Sequence, residues 1–201
     1  MVYSRAVAHG NAKEKLTRVA LELMLSRGYN ATTVDEICEG AGLTKGSFYH
    51  CFTTKEDIGV AALELFHEDG FKRSAGRYSE IADPVERAFG FLDHVEEVAK
   101  DIWGSGCLLG NFALELADTN PIIRKKVSGL LNKSTGSLAR IFEPIANLRK
   151  KGEGPSAVEL AEHYIALIEG AIVLGRAHHD WKRIPEGIRQ FRRYLECLAG
   201  R

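Results

Sequence analysis

The most constraining feature of the sequence is a pair of short helical segments separated by only a few residues. Thr33-Val-Asp-Glu36 has the spacing of a capping box, in which the first and last residues satisfy each other's backbone amides, and it opens the first segment. Gly40 or Gly42 ends that segment, and Thr44 is the predicted N-cap of the second segment, which runs through His50. Two short helices joined by a tight, glycine-containing turn are typical of a helix-turn-helix.

The remaining sequence is also patterned for helices. Apolar residues recur at helical spacing after Asn11, after Asp83-Pro84, after Asn120-Pro121 and in the segments 156–178 and 185–198. Asn and Asp are favoured capping residues, and proline suits the first helical position. With 45% hydrophobic residues, the chain can also build a substantial core. We therefore predict an all-α fold of about nine helices.

Residues 28–58 carry a longer pattern that strongly resembles the helix-turn-helix of the TetR-like (tetracycline-repressor) family of transcriptional regulators. The shared features are Gly28-Tyr29, Thr32-Thr33, Ile37, Ala41-Gly42-Leu43, the run from Lys45 to His50, Phe52 and Lys55. Cys51 departs from the pattern, because the family usually has an aromatic residue there. The resemblance implies a three-helix DNA-binding domain over residues 1–55 and a helical ligand-binding and dimerisation domain over residues 56–201.

The second short helix supplies the candidate DNA contacts. A recognition helix presents its N-terminal residues to base edges in the major groove. Lys45 can reach a guanine edge, Ser47 can pair with several bases, and Gly46 lets the backbone approach the duplex. Tyr49 and His50 suit contacts to phosphates. The predicted DNA-binding residues are Thr33, Thr44, Lys45, Gly46, Ser47, Tyr49, His50 and Lys55.

Bulk charge gives this prediction little support. The formal net charge of the chain is zero, and residues 1–55 hold seven Lys or Arg against five Asp or Glu. An excess of two positive charges is weak support for a nucleic-acid partner, so the motif carries the prediction. The partner expected from the resemblance is double-stranded DNA with a palindromic operator sequence, bound by a homodimer that a small-molecule inducer releases.

A cysteine in the second half offers an alternative to an ordinary inducer. Gly106-Cys107-Leu108 resembles a run in one branch of the family, in which some members use the cysteine to sense electrophiles or oxidants. Cys107 follows two glycines and is predicted to open a helix, where backbone amides would stabilise its thiolate. The residue could equally be a small buried side chain at a helix start, and the sequence leaves both interpretations open.

The expected ligand pocket has apolar walls and few polar groups, as suits an organic molecule. Its predicted lining residues are Phe89, His94, Trp103, Cys107, Asn111, Phe112, Glu115, Tyr164 and Ile168. The stripe that contains Tyr164, Leu167, Ile168, Ala171 and Leu174 is the predicted dimer face, because it is too apolar to leave in water.

Other classes of protein receive less support. A small helical enzyme or carrier that uses the same pocket is the alternative from another class, but the sequence shows no catalytic constellation, no cofactor motif and no paired zinc ligands. His178-His179-Asp180 are adjacent on a helix and point in different directions, so they are poor metal co-ligands, and we expect them to form a solvated helix end. No apolar run is long enough to span a bilayer, and no C-x-x-C pair occurs. We expect a cytoplasmic protein with reduced thiols.

Overall fold

The computed structural model describes residues 11–150 and 153–201, and the regular structure within those two ranges is helical. Nine α-helices follow one another there, and a 3₁₀ turn, Arg77–Glu80, lies between the fourth and the fifth. The helices are α1 (Ala12–Arg27), α2 (Val34–Ala41), α3 (Lys45–Cys51), α4 (Lys55–Ser74), α5 (Pro84–Trp103), α6 (Leu108–Leu116), α7 (Pro121–Ala146), α8 (Ala157–Ala177) and α9 (Arg183–Leu198). The predicted all-α fold is confirmed.

Local sequence sets the starts of the first helices. Asn11 Oδ1 accepts a hydrogen bond from the Glu14 amide at 3.0 Å and caps α1. Thr33 and Glu36 form the predicted capping box of α2, in which each side chain accepts from the other residue's amide, at 3.3 and 2.9 Å. Such a cap contributes about 1 kcal/mol to helix stability. The capping residues read from the sequence therefore mark where these helices begin.

The last helix begins earlier than the sequence predicts. Helix α9 begins at Arg183, whereas the sequence interpretation begins it after Pro185. Pro185 lies in the first turn of α9 and is buried. The amides in the first turn of a helix have no intrahelical acceptor, so a proline there costs no hydrogen bond. Pro185 can therefore lie inside the helix rather than before it.

The described residues divide into two compact units. The first unit extends to Asp69 and also contains Cys107–Leu130. Helices α1, α2 and α3 pack on one another around fully buried Leu16, Ile37 and Phe48, and α6 packs against α1. A helix that is distant in sequence therefore completes the unit with the helix-turn-helix, and hydrophobic spacing alone gives no means of pairing it with α1.

The second unit comprises Gly70–Gly106 and Leu131–Arg201. Helix α9 packs against both α5 and α8 here. Their interior holds an aromatic cluster in which neighbouring ring centroids lie 5.3 to 6.2 Å apart, formed by Phe91, Phe142, Tyr164 and Phe191. None of the described helices has both the length and the apolarity needed to cross a membrane.

The predicted dimer stripe on α8 needs correction. Tyr164, Ile168 and Ala171 are buried within a single chain, where α8 packs against α9. Their apolar character serves the core of the second unit and does not define a surface. The exposed apolar side chains of α8 are Val158, Val173 and Leu174, each about half exposed. Periodicity identified an apolar face correctly but could not tell an internal neighbour from a second subunit.

Candidate nucleic-acid interface and ligand site

The turn between α2 and α3 is a tight glycine turn. Gly42 has a φ of 64° and a ψ of 34°, which is the left-handed region where glycine avoids the steric cost of a Cβ. The Gly42 amide donates to the Glu39 carbonyl at 3.0 Å, and the Leu43 amide donates to the Cys38 carbonyl at 2.9 Å. These bonds satisfy the last carbonyls of α2 and end it sharply. The chain is then able to begin α3 at once.

Helix α3 has one buried face and one exposed face. Phe48 is fully buried and anchors the helix in the core of the first unit. Tyr49 is 60% exposed. Thr44, Lys45, Gly46 and His50 are exposed as well, and Ser47 is half-buried with its amide donating to the Thr44 hydroxyl at 3.2 Å. The predicted base and phosphate contacts of α3 thus lie mainly on its solvent side, and they stay predictions.

Lys45 has an acidic neighbour that the sequence reasoning did not identify. The Lys45 Nζ lies 2.9 Å from Asp35 Oδ1, and both side chains are about two-thirds exposed. The hydrogen bond that Lys45 donates to the Asp35 carboxylate raises the pKa of Lys45 above its ordinary value, so the ammonium stays charged. A DNA base or phosphate must therefore compete with Asp35 for the Lys45 ammonium. A charge that lies ten residues earlier gives no sequence signal, because only the turn between α2 and α3 brings the two together.

Gly46 is not required by the fold. Its φ lies outside the left-handed region, and a Cβ added to it would meet only Thr44 Oγ1, at an ordinary 3.6 Å. Gly42 differs, since its positive φ gives a structural reason for glycine. A glycine inside a helix is unfavourable by about 0.5–1 kcal/mol relative to alanine. Its presence at the exposed start of α3 fits the predicted close approach of the backbone to DNA.

Thr33 and Lys55 both have structural partners. The Thr33 hydroxyl donates to Glu36 Oε2 at 2.8 Å, so a contact to phosphate would have to replace that bond. The Lys55 Nζ lies 4.3 Å from the centre of the Tyr29 ring. Burial lowers the pKa of Lys55. The structure therefore gives Lys55 a packing role in addition to the predicted charge toward DNA.

Glu115 has a role that differs from the predicted lining of a ligand pocket. Its carboxylate accepts hydrogen bonds from the Tyr29 amide at 2.8 Å and from the Asn30 amide at 2.6 Å. These amides belong to the segment between α1 and α2. Charge-assisted bonds to two backbone amides fasten α6 to the helix-turn-helix within the first unit. Sequence spacing carries no signal for a carboxylate that reaches a turn 85 residues earlier.

Two neighbours of Glu115 on α6 also contact α1 or the segment that follows it. Asn111 Nδ2 donates to the Leu25 carbonyl at 3.4 Å. Phe112 is fully buried, and its ring meets the Tyr29 ring edge to face at 5.5 Å between centroids. Both residues therefore contribute to the packing of α6 against the helix-turn-helix, and their predicted contact with a ligand stays a prediction.

Cys107 lies where the sequence predicts, at the start of a helix. It is the N-cap of α6, and its side chain makes no capping hydrogen bond. The residue is 5% exposed. Helix N-termini favour a thiolate, but a buried thiol is poorly accessible to a reactive molecule. The position supports the predicted sensor role and the burial counts against it.

The other predicted ligand residues belong to the second unit. Phe89 is buried beneath the guanidinium groups of Arg192 and Arg201, 5.1 and 4.9 Å from its centre. His94 Nε2 lies 3.2 Å from the Arg73 carbonyl. Ile168 is 3% exposed. The nine predicted ligand residues are thus divided, with Cys107, Asn111, Phe112 and Glu115 in the first unit and Phe89, His94, Trp103, Tyr164 and Ile168 in the second.

Tyr164 is a predicted ligand residue with a buried hydroxyl that lacks a hydrogen-bond partner within the described ranges. Its side chain is 3% exposed and lies among the rings of Phe91, Phe142 and Phe191. Among the residues that the structure describes, its hydroxyl is the buried side-chain polar atom without a hydrogen-bond partner. Burial raises the pKa of Tyr164, so the group is a neutral O–H. An unsatisfied buried hydroxyl costs about 1–3 kcal/mol, and it is a ready partner for a polar group of a ligand.

Trp103 lines a cavity that the sequence reasoning did not describe. The cavity has a volume of about 310 Å³, and its walls include Trp103, Ile172, Arg176, His179, Trp181 and Ile184. The sequence interpretation treated His178-His179-Asp180 as a solvated helix end. His178 and His179 are indeed exposed, but His179 also borders this cavity. The sequence did hold a signal for this cavity, because both tryptophans, Trp103 and Trp181, lie near helix ends.

Two family patterns match the chain. Residues 16–59 match the family described as bacterial regulatory proteins, tetR family. Residues 84–186, about half of the chain, match the C-terminal domain of LmrA/YxaF-like transcriptional regulators. The first match contains the whole helix-turn-helix, and the second contains the Trp103 cavity and Tyr164.

Individual relatives agree with these matches. The chain is 29% identical to the HTH-type transcriptional repressor DhaR of a Mycobacterium species, over 83% of each protein. It is 31% identical to the transcriptional regulator AcuR of Cereibacter sphaeroides, over 81% of this chain and 75% of the relative. A solved regulatory protein TetR from Rhodobacter sphaeroides shares 28% identity with a TM-score of 0.72, covering 92% of this chain and 97% of that one. Regulation is thereby favoured over the enzyme or carrier alternative, and the chain belongs to the TetR family as a DNA-binding regulator of transcription.

Proposed function

We propose that the protein is a homodimeric repressor that binds a palindromic operator and leaves it when a small molecule binds. The observation that carries this proposal is the exposed face of α3, where Lys45, Gly46 and Tyr49 lie immediately after a tight glycine turn. A glycine that the fold does not need, beside exposed donors, suits a helix that lies against DNA. Residues 1–55 form the DNA-binding part in this proposal, and residues 56–201 bind the ligand and the second subunit.

Selection of DNA from a random library tests operator binding. The purified protein should enrich sequences with two-fold symmetry, and the affinity should fall steeply as salt rises. Tyr49→Ala should weaken binding, because the exposed ring is lost while the buried core of the unit is untouched. A folded protein that enriches no symmetric site would contradict the repressor proposal.

For the inducer, the proposal assigns an anchoring hydrogen bond to Tyr164. Its hydroxyl is buried among aromatic rings without a partner, so a ligand group could bond to it with little competition from water. Tyr164→Phe removes the hydroxyl and retains the ring. The variant should unfold at a higher temperature, while molecules that release the unmodified protein from its operator should act with at least about tenfold weaker potency. Unchanged potency would reject Tyr164 as an anchor.

The second candidate is a thiol switch at Cys107, in the electrophile-sensing branch of the family. The position of Cys107 at the N-cap of α6 favours this function, because backbone amides there stabilise a thiolate. The chain has free cysteines at 38, 51, 107 and 197, so the test needs a variant that retains only Cys107. Alkylation of that variant should abolish operator binding. If the alkylated protein binds operator unchanged, the thiol switch is excluded and the inducer proposal remains.

Dimerisation is assigned to the outer surface of α8. Val173 and Leu174 are 56% and 51% exposed, and exposed apolar residues side by side are typical of an interface. Val173→Glu should convert a dimer into monomer in a light-scattering measurement, since a charge would be buried without a partner. Glu186→Gln, on the exposed side of α9, serves as a control for a change in charge. A dimer that survives Val173→Glu would place the interface elsewhere.

A further inference from the structure

The cavity at Trp103, which we call the Trp103 cavity, lies within the second unit where α5 and α8 end and α9 begins. Its volume of about 310 Å³ falls at the lower end of the range for small-molecule sites. It is separate from Tyr164, because Ile172, the lining residue of α8 nearest to it in sequence, lies eight residues later, or about 12 Å along the helix axis. A ligand in this cavity would therefore not be the same small molecule that bonds to the Tyr164 hydroxyl.

The charged side chain on the wall of the Trp103 cavity is positive. Arg176 is on its wall, and the Lys100 ammonium lies 5.2 Å from the centre of the Trp181 ring. Among the described residues that line the cavity, none is Asp or Glu. The adjacent Asp180 carboxylate is engaged with the Lys182 amide and with Arg183 Nε, at 3.2 and 3.4 Å. A cationic ligand would meet like charges here, whereas an anion would meet a guanidinium.

His179 occupies a backbone position that ordinarily belongs to glycine. Its φ is 52°, and it is the described residue other than glycine with a positive φ. The Asp180 amide donates to the Gly175 carbonyl at 2.8 Å, which is the bond that closes a helix of this type with a left-handed residue. Glycine would satisfy the same geometry without strain and without a side chain. Histidine instead places an imidazole at the edge of the cavity.

The remaining side chains on the walls are apolar, and two of them are planar indoles. Trp103, Trp181, Ile172 and Ile184 surround the cavity and suit a compact hydrocarbon body. Combined with Arg176 and His179, they match a molecule that has a carboxylate at one end and an apolar group at the other. We propose that the Trp103 cavity binds a small organic carboxylate, with Arg176 pairing to the carboxylate, His179 donating to it and the indole rings covering the apolar body.

Both of the chain's tryptophans line this cavity, so intrinsic tryptophan fluorescence reports on it directly. The probe is cyclohexanecarboxylate, which does not absorb at the excitation wavelength, titrated into the DNA-free protein. Its amide and cyclohexylmethylamine are the neutral and cationic comparisons. The carboxylate should change the fluorescence saturably with a Kd of about 1 mM or tighter, and the other two should bind at least about tenfold more weakly.

Variants then assign the binding to the proposed residues. Arg176→Met should weaken the carboxylate at least about tenfold, and Arg193→Met, an exposed α9 arginine outside the lining, should leave the affinity unchanged. His179→Gly should bind roughly threefold more weakly and be more stable to heat, because strain is relieved while a donor is lost. Equal binding of acid and amide, or full binding by Arg176→Met, would overturn the proposal, as would no saturable change up to about 10 mM. Since no DNA is present, the result is independent of the inducer proposal.

Discussion

Gly46 offers the sharpest separation of folding from DNA binding, because the fold does not require glycine there. Gly46→Ala adds one methyl group near the start of α3. The added Cβ would meet only Thr44 Oγ1 at 3.6 Å, and the backbone is outside the left-handed region, so no steric cost arises within the protein. Alanine in a helix is more favourable than glycine by about 0.5–1 kcal/mol. Since Gly46 lies in the first turn of α3, the variant should be more stable than the unmodified protein by up to that amount.

The same methyl group should weaken DNA binding. If the start of α3 lies against the duplex, a Cβ at residue 46 either clashes or pushes the helix away, and displaced donors such as Lys45 and Ser47 lose their contacts. Loss of one good base contact alone is worth about 1–3 kcal/mol. We therefore expect the operator Kd to rise at least about tenfold, a change of about 1.4 kcal/mol, while stability increases.

Two glycine variants serve as controls for these effects. Urea unfolding of the DNA-free protein measures stability, and fluorescence anisotropy with a selected operator duplex measures affinity. Gly129→Ala on α7, whose Cβ would meet nothing within 4 Å, should gain similar stability without a change in operator affinity. Gly42→Ala should lose about 1 kcal/mol or more, because its φ is 64°. A Gly46→Ala protein with undiminished operator affinity would refute the close approach of α3 to DNA.

Three further substitutions probe the first unit. Asp35→Asn frees the exposed Lys45 ammonium and removes a negative charge beside α3. Gel shifts should therefore show tighter DNA binding, while the free energy of unfolding should change by less than about 1 kcal/mol. Weaker binding would contradict the competition between Asp35 and DNA. Glu115→Gln should destabilise the protein by about 2 kcal/mol in thermal unfolding, because one of its two charge-assisted hydrogen bonds is lost. The control is Glu64→Gln, which breaks a surface ion pair with Lys126 and should cost less than about 1 kcal/mol. Lys55→Met should weaken DNA binding and keep the packing on Tyr29; unchanged affinity would leave Lys55 with a structural role alone.

The elements that could be predicted from the sequence are those that local physics specifies. Asn11, Thr33 and Asp83 cap their helices as their side chains dictate, and Gly42 forms the turn that its missing Cβ allows. Each of these features depends on residues within about one helical turn. For the same reason the exposed face of α3 follows from its sequence, since burying Phe48 fixes which side faces the solvent.

The features that could not be predicted depend on which distant segments meet. Glu115 was predicted to line a ligand pocket, and in the structure its carboxylate accepts from the amides of Tyr29 and Asn30. The stripe of Tyr164 and Ile168 was assigned to a dimer face, but α9 covers it within the same chain. In both cases the residue type and the helix face were recognisable, and only the identity of the neighbour was missing.

Three residues in the structure are locally unfavourable, and each lies at a position proposed to bind something. Gly46 is a glycine in a helix, His179 has a left-handed backbone and Tyr164 has an unsatisfied buried hydroxyl. Evolved sequences depart from local preference mainly where function requires it. Replacing these residues with the locally preferred alanine, glycine and phenylalanine should stabilise the protein each time. Gly46 belongs to the first unit, and the other two residues are fifteen positions, about 22 Å, apart along and just beyond α8. Gains at sites without shared partners are additive, so the total should be at least about 2 kcal/mol. The triple variant should then be more stable than the unmodified protein, while its affinity for the operator and its response to the inducer are weakened. A triple variant that gains no stability would mean that these residues are structural adaptations.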